Sequence, residues 1–397
     1  MKQLLLFFII GFFSVTFGSK AVELSQKYQL SKKCQACHMH IIRDWRNSWH
    51  AKSHFNKDEY FRKSIKYLAK KQHKSVDAIN VTCAKCHNPR IQVTQVGEDY
   101  DVIASIGLNK GSKVQQALHD KTISEGINCL VCHNVDKIHT EAPANIRGID
   151  RLEWTKNGLM SGPFADAKSP YHKTQQRDFY KKDPNKLCFV CHANDHSYAN
   201  NDLKFTNMEK EYKGDQKCTS CHMGKEIESY ASSYRFAGKT KKRKIRHHTF
   251  AGAHTEKMWK DALKLKLSKK QDSVIITIEN PQPHNIPTGF GGREIIVQIQ
   301  QFKGTKAVKT STISLTTHYK RKRKRASTPH LALEATKDMS IPAKGSKKLK
   351  VAVANGANNI KVTLYYRLVN DEIRDILKLK DPIWEKKYFI VEKSLNY

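Results

Sequence analysis

The chain contains Cys34-Gln-Ala-Cys37-His38, and the same Cys-x-x-Cys-His pattern recurs as Cys83-Ala-Lys-Cys86-His87, Cys129-Leu-Val-Cys132-His133, Cys188-Phe-Val-Cys191-His192 and Cys218-Thr-Ser-Cys221-His222. These motifs account for all ten cysteines of the 397-residue chain. The pattern is typical of c-type haem attachment, because two thiols three positions apart can both reach the vinyl groups on one edge of a porphyrin. The imidazole that follows can then bind the iron. The sequence therefore predicts five covalently bound haem c groups, with the ten cysteines as attachment points and His38, His87, His133, His192 and His222 as proximal axial ligands.

Two other uses of paired cysteines explain this pattern less well. Zinc sites use Cys-x-x-Cys pairs but have no need of a histidine directly after every second cysteine. Disulfides are plausible in an exported protein, yet they also leave the five histidines unexplained. With 19 histidines in 397 residues, chance would place one after all five pairs less than about once in a million.

The other histidines point to the opposite side of each iron. A haem that only carries electrons has a second axial ligand, usually His or Met. Setting the five motif histidines aside leaves 14 of 19, whereas the chain has seven methionines. We therefore expect mostly bis-histidine haems of low potential. The candidates for the distal position are His50, His54, His139, His172, His248, His254 and His284.

The setting of these histidines supports their selection. His50 and His54 share one helical face, beside tryptophans that can pack on a porphyrin. His284 lies in the loop 280–289, which proline and glycine stiffen. Six other histidines are expected at the surface or in turns, namely His40, His73, His119, His196, His318 and His330.

The N-terminus has the features of a secretory signal. Lys2 precedes an apolar run of about 14 residues, 4–17, which small residues follow up to Ala21. An uncleaved membrane anchor is the alternative, but the run is shorter than the ~20 residues needed to span a bilayer. We expect residues 1–21 to be removed and the mature protein to be soluble in the periplasm.

The distribution of cysteines and of alternating apolar residues divides the rest of the chain into two parts. The motifs lie within residues 22–257, which we expect to form a pentahaem domain, mainly helical and irregular, with helices near 59–72 and 112–121. Residues 258–397 lack cysteine and predict an immunoglobulin-like β-sandwich. Its expected strands are 263–267, 273–278, 294–299, 310–315, 347–353, 360–366 and 387–391. The predicted fold class is therefore α+β.

The chain is strongly basic, with 71 Lys and Arg against 37 Asp and Glu, a formal net charge of +34 and a pI near 9.7. Two basic runs stand out, 241–244 and 320–325. They are either solvated loops or docking surfaces for an acidic redox protein, a quinol-oxidising membrane cytochrome or an anionic membrane. Nucleic acid is not expected for an exported haem protein. The propionates of five haems would add about ten negative charges, so part of the basic excess would neutralise the cofactors.

With these motifs, the chain resembles the periplasmic multihaem cytochromes c related to the tetrahaem electron acceptor of hydroxylamine oxidoreductase. The resemblance covers roughly residues 30–290. Besides the haem motifs it rests on Trp45 with Ser48-Trp-His50-Ala, on Ser169-Pro-Tyr-His172, and on the loop His284-Asn-Ile-Pro-Thr-Gly289. It implies closely packed haems, in stacked or near-perpendicular pairs. The chain departs from that family by having five motifs, and the lack of a Cys-x-x-Cys-Lys motif disfavours the pentahaem nitrite reductases.

Two functions follow from these features. The first is an electron carrier in which all five irons are six-coordinate, and the supply of histidines favours it. The second is an oxidoreductase in which one five-coordinate haem acts on a small nitrogen or sulfur oxyanion. The family that the chain resembles is known to leave one iron open, so the alternative stands.

Overall fold

The computed structural model describes residues 30–141, 146–232 and 241–397. The expected signal peptide, residues 1–21, lies outside these ranges. None of the helices in the described ranges combines the length and the apolar character needed to cross a bilayer.

The N-terminal part is built from short helices and irregular segments. Twelve α-helices occur in the described ranges: α1 (Ser31–Gln35), α2 (Met39–Arg46), α3 (Glu59–Gln72), α4 (Val76–His87), α5 (Glu98–Ser105), α6 (Lys113–His119), α7 (Cys129–His133), α8 (Phe179–Lys182), α9 (Asn185–His192), α10 (Met208–Glu211), α11 (Cys218–His222) and α12 (Asp371–Leu377). Short 3-10 helices lie at His50–Lys52, Lys121–Glu125, Gly148–Arg151, Glu256–Met258, Lys322–Lys324, Pro329–Leu331 and Pro382–Trp384.

Four of the five cysteine motifs close a helix. Helices α4, α7, α9 and α11 all end at the motif histidine, whereas the first motif begins at the end of α1 and finishes at His38, directly before α2. Side-chain caps fix where two of these helices begin: Ser75 accepts from Ala78 N at the start of α4, and Asn128 accepts from Leu130 N at the start of α7. Such caps satisfy backbone N–H groups that have no partner within the helix.

The strands are concentrated in the C-terminal part. They are β1 (Val135–Ile138), β2 (Leu152–Trp154), β3 (Met160–Gly162), β4 (Thr174–Gln176), β5 (Asp195–His196), β6 (Lys204–Thr206), β7 (Ile227–Ser229), β8 (Arg243–Ile245), β9 (Lys264–Lys270), β10 (Ser273–Glu279), β11 (Glu294–Lys303), β12 (Lys306–Leu315), β13 (Tyr319–Arg321), β14 (Arg325–Ala326), β15 (Glu334–Ala335), β16 (Ser346–Ala352), β17 (Asn359–Arg367) and β18 (Tyr388–Asn396).

Two antiparallel sheets form the centre of this C-terminal part. One has the strand order β16-β10-β9 and the other β12-β11-β17-β18. Alternate residues of both sheets point into one hydrophobic core, including Ile276 and Ile278 from the first and Val297 and Leu364 from the second. The alternation of apolar and polar residues in these strands predicts that every second side chain is buried.

The mixed helical and strand architecture confirms the predicted α+β class. A strand is present at each of the seven expected strand positions, and α3 has the expected bounds. The pattern missed α12 and the small sheet of β13, β14 and β15, because these elements are too short to show a period. The immunoglobulin-like classification, and the division at residue 258, stay predictions.

One carboxylate makes several of the hydrogen bonds that join the helical part to the strand-rich part. Glu59, in the first turn of α3, accepts hydrogen bonds from Lys380 N (3.1 Å), Asp381 N (2.9 Å) and Trp384 Nε1 (2.8 Å). Partial burial opposes ionisation of this carboxyl, but the hydrogen bonds outweigh it and hold the pKa of Glu59 below its usual value.

We expect Glu59→Gln to lower the free energy of unfolding of the holo-protein at pH 7 by about 1–2 kcal/mol, since charge-assisted hydrogen bonds are replaced by weaker ones in a partly exposed position. A depressed folded-state pKa stabilises above the unfolded value, and this contribution is lost as the pH falls through the folded pKa. The two proteins should therefore converge in acid, as measured by urea unfolding followed by far-UV circular dichroism. Asp375→Asn, at an exposed ion pair 3.7 Å from Arg374, is the control that should change little. A wild-type advantage that persists unchanged into acid would contradict the role of the Glu59 charge.

Candidate haem sites

Residues of four of the five cysteine motifs line one large cavity. Its volume is about 2690 Å³, well above the ~300–1,000 Å³ of an ordinary small-molecule pocket. Both cysteines and the histidine of the first, third, fourth and fifth motifs line it. A cavity of this size among attachment motifs has room for more than one large planar group.

Four motif histidines each face a second imidazole across this cavity. The ring centroids are 6.5 Å apart for His38 and His172, and 6.3 Å apart for His192 and His50, for His133 and His248, and for His222 and His284. The interplanar angles are 27–37°. All four partners are among the seven histidines that the sequence selected, and the structure assigns each to one motif.

This spacing fits an iron held between the two rings. A metal–nitrogen bond to imidazole is about 2.0–2.1 Å, and an atom of a five-membered ring with bonds near 1.35 Å lies about 1.15 Å from the centroid. Two imidazoles on opposite sides of one metal therefore have centroids about 6.3 Å apart. The residues present thus fit haem at four motifs, and His38, His133, His192 and His222 would hold it together with their four partners.

Backbone carbonyls orient the rings of these pairs. Among the motif histidines, His38 Nδ1 lies 2.6 Å from Ala231 O and His133 Nδ1 lies 2.8 Å from Ser161 O. The equivalent partners of His222, His248 and His284 are the carbonyls of residues 251, 246 and 285. A carbonyl only accepts, so each Nδ1 carries the proton and leaves the Nε2 lone pair free for a metal.

Burial favours the neutral form of three of the paired imidazoles, those of His50, His248 and His192. Desolvation, followed by the charge of His222, lowers the pKa of His50 to about 4. Desolvation, followed by the charge of His133, lowers the pKa of His248 to about 4. For His192 the same main cause lowers the pKa to about 3. A metal binds only the neutral form, so these shifts favour ligation at ordinary pH.

Cysteines of different motifs lie side by side. The thiols of Cys34 and Cys129 are close enough to interact electrostatically, as are those of Cys188 and Cys218. Cys191 and Cys86 interact in the same way. The first motif therefore adjoins the third, and the fourth adjoins both the second and the fifth.

Neither disulfides nor clusters of metal-ligating side chains occur among the described residues. The ten cysteines, all within the described ranges, form no disulfide. In the same ranges no group of three or more His, Cys, Asp or Glu side chains is arranged to hold a metal ion on its own. Four motif histidines each face a second histidine, at a distance that matches a metal and its two bonds.

The second motif differs from the other four. The His87 ring stacks on Phe61 at 4.2 Å, and its Nδ1 lies 3.3 Å from the Ser53 hydroxyl. In the described part of the chain, no imidazole faces His87 at the spacing of the four pairs. Gly148, at φ +61°, packs directly against the motif, since a Cβ there would lie 2.5 Å from Lys85 O and 2.9 Å from Cys86 Sγ.

Three of the seven expected distal histidines face no motif histidine in the described ranges. His54 Nδ1 accepts a hydrogen bond from Asn56 N, so its Nε2 carries the proton and offers no lone pair. His139 Nε2 lies 2.8 Å from Glu153 Oε1 at the surface. His254 stacks on Trp49 at 3.5 Å, and although it lines the cavity its ring is turned to that indole.

Sequence reasoning missed a polar group beside the second motif. It consists of Arg147, Asp195, Tyr198 and His330, which come together although the first and the last are 183 positions apart in the chain. His330, which we expected at the surface or in a turn, has a side chain that is only 17% exposed. No local pattern connects these residues, so the sequence offered no signal for the group.

The fold has a match among solved structures. It is similar to that of a penta-haem cytochrome c552 from Thermochromatium tepidum, with a TM-score of 0.67, 16% sequence identity, and coverage of 93% of this chain and 98% of that chain. No protein-family model matches the chain, and no curated protein matches it in sequence. At 16% identity the likeness shows that the two chains share a fold. A multihaem cytochrome fold agrees with the five motifs and the paired imidazoles.

We expect His284→Ala to convert one ferric haem of the holo-protein from low spin to high spin, because His222 would lose its facing imidazole. Electron paramagnetic resonance calibrated against total iron measures this change. The matched control is His139→Ala, which removes a surface imidazole and should leave the spectrum as in the wild type. An unchanged spectrum in His284→Ala protein with full haem content would contradict the pairing.

Proposed function

We propose that the mature chain is a five-haem c-type cytochrome that transfers electrons in the periplasm. The observation that carries this proposal is the set of four imidazole pairs spaced for an iron. When bound, haem supplies reversible one-electron chemistry at its iron, and two histidine ligands favour a low potential. The residues of this chain attach, orient and bury the group.

The order of the motifs supports an electron-transfer role. Movement of electrons requires short gaps between neighbouring centres, and electrostatic interactions between cysteines indicate which motifs are neighbours. The first motif is near the third, and the fourth is near the second and the fifth. The third is joined to the fourth by the electrostatic interaction of Cys132 with Cys188 and Cys191. The fourth motif is therefore a junction from which three neighbours can be reached.

The proposed partners are anionic. Lys322–Lys324 and Arg325 form an exposed basic turn between β13 and β14, with Lys324 paired to Glu334. In the other basic run, two of the four basic residues, Lys241 and Arg243, share the single carboxylate of Asp166. We propose the exposed turn as the contact for an acidic redox protein or a quinol-oxidising membrane cytochrome, with an anionic membrane surface as a further contact. Long-range steering of this kind weakens as salt is added.

A second candidate function has its own observation. His87 lacks the facing imidazole that the other four motif histidines have among the described residues, so the haem of the second motif would keep a coordination position for a small molecule. This supports an oxidoreductase whose reaction takes place at the second motif, with the other four motifs supplying or removing electrons.

Electron paramagnetic resonance of the oxidised holo-protein, together with haem and iron counts, tests both candidates. We expect five haems per chain, four of them low spin and one high spin. Five low-spin haems would support a carrier alone and remove the second candidate. Fewer than four low-spin haems in fully loaded protein would contradict the electron-transfer proposal, and protein without haem from a host with an active cytochrome c assembly system would overturn both.

A further inference from the structure

The residues that line the large cavity are strongly basic. Among the described residues of this lining, eleven are Lys or Arg and two are Asp or Glu. Both carboxylates already have partners. Asp166 pairs with Lys241 and Arg243. Glu226 pairs with Arg246. Eight basic side chains of the lining are therefore left without a carboxylate partner in the described ranges.

Arg293 differs from the other seven of these residues, which are all lysines. The seven lysines are exposed, so water can solvate their ammonium groups. Arg293 is partly buried, and it lies directly before β11, at the end of the loop that carries His284. Withdrawing a cation from water is unfavourable unless an anion or several hydrogen bonds compensate it. Arg293 is thus the basic residue of the cavity that most needs an anionic partner.

The contacts of the Arg293 side chain supply little of that compensation. A guanidinium has five N–H donors, and Nη1 of Arg293 donates to Thr288 O. No Asp or Glu of the described ranges forms an ion pair with it. The adjacent carboxylate of Glu294 is engaged elsewhere, because it accepts from Arg367 Nε at 2.7 Å. Donors of Arg293 are therefore available to an anion inside the cavity.

The surrounding loop holds the guanidinium at the cavity wall. Gly289, at φ +80°, leaves room for it, since a Cβ there would lie 3.1 Å from Arg293 Nη1. Thr288, whose carbonyl accepts from Arg293, is itself held because its hydroxyl donates to Glu211. The Thr316 hydroxyl donates to Arg293 O at 2.9 Å and anchors the backbone. A donor that is positioned in advance loses little conformational entropy when it binds.

Haem is a source of carboxylates for this cavity. Each haem carries two propionates, and a guanidinium can bind a carboxylate through two parallel hydrogen bonds. The His222–His284 pair, which is spaced for an iron, lines the same cavity as Arg293. His284 and Arg293 also belong to one loop. The unpaired cation and the place where haem fits are therefore parts of the same site.

We propose that Arg293 binds a propionate of a haem held in the large cavity. The loop 284–293 then supplies both an axial imidazole and a counter-charge for the cofactor. The inference rests on the proposed five-haem function and adds to it a residue that adjusts a reduction potential. A positive charge near the iron favours the reduced form, so Arg293 raises the potential of the haem that it contacts.

Infrared spectroscopy of isotopically labelled holo-protein tests the contact. The expression host is supplied with δ-aminolevulinic acid that carries carbon-13 at its carboxyl group, so that the propionates absorb apart from protein carboxyls such as Glu211. We expect Arg293→Gln to shift the labelled band of one propionate. The equilibrium constant for reduction of one haem should fall about tenfold, or about 59 mV for one electron, in a redox titration. Arg293→Lys keeps the charge and loses the planar fork, so the band should shift while the potential changes little.

Arg243→Gln is the matched control. Arg243 is also partly buried in the wall of the cavity, but its guanidinium is paired with Asp166 at 2.5 Å. Its substitution should leave the labelled band as in the wild type.

Three outcomes would overturn the assignment. One is an unchanged labelled band in Arg293→Gln protein that carries five haems, and another is an equal shift in Arg243→Gln. Where Arg293→Gln fails to assemble, an unchanged band in Arg293→Lys contradicts the contact. These results leave the five-haem function intact, whereas wild-type protein without haem would overturn both proposals.

Discussion

Hydrogen bonds from histidine Nδ1 atoms to backbone carbonyls are the constraint on which the proposed haem arrangement depends. They fix the tautomer and the orientation of five of the eight paired rings, so that Nε2 of each of these rings is left to face the gap that a metal and its bonds would fill. Because the carbonyls belong to loops such as 231–232 and 245–251, irregular backbone does the positioning that helices do elsewhere. The short helices contribute the motifs, and the loops contribute the geometry.

The strand-rich part contributes residues to the proposed sites. It supplies His284, which faces His222, and His330, which belongs to the polar group beside the second motif. The hydrogen bonds of Glu59 and the large shared core hold these loops against the helical part. A sheet with a well-packed core is a rigid support, and side chains on loops anchored to it keep their positions better than side chains on free loops.

The second motif stands apart from the others in two ways. Its histidine stacks on Phe61 and has no facing imidazole in the described ranges, and its cysteines adjoin a group of four polar side chains. Its Cys86 nevertheless interacts electrostatically with Cys191 of the fourth motif, so electrons would have a route to it. A centre open to a small molecule and connected to four closed centres can combine binding with electron supply.

The sequence by itself predicts the attachment chemistry, because the cysteine pair and its histidine are contained within five consecutive residues. It also determined the seven principal strands and α3, since alternation and helical periodicity are local properties of the chain. It restricted the distal ligands to seven histidines, four of which face a motif. Only the tertiary structure decided which histidine faces which motif, and it alone brought Arg147 and His330 together. Those contacts join residues up to 183 positions apart, and their formation depends on how loops pack against the sheets, which no local pattern records.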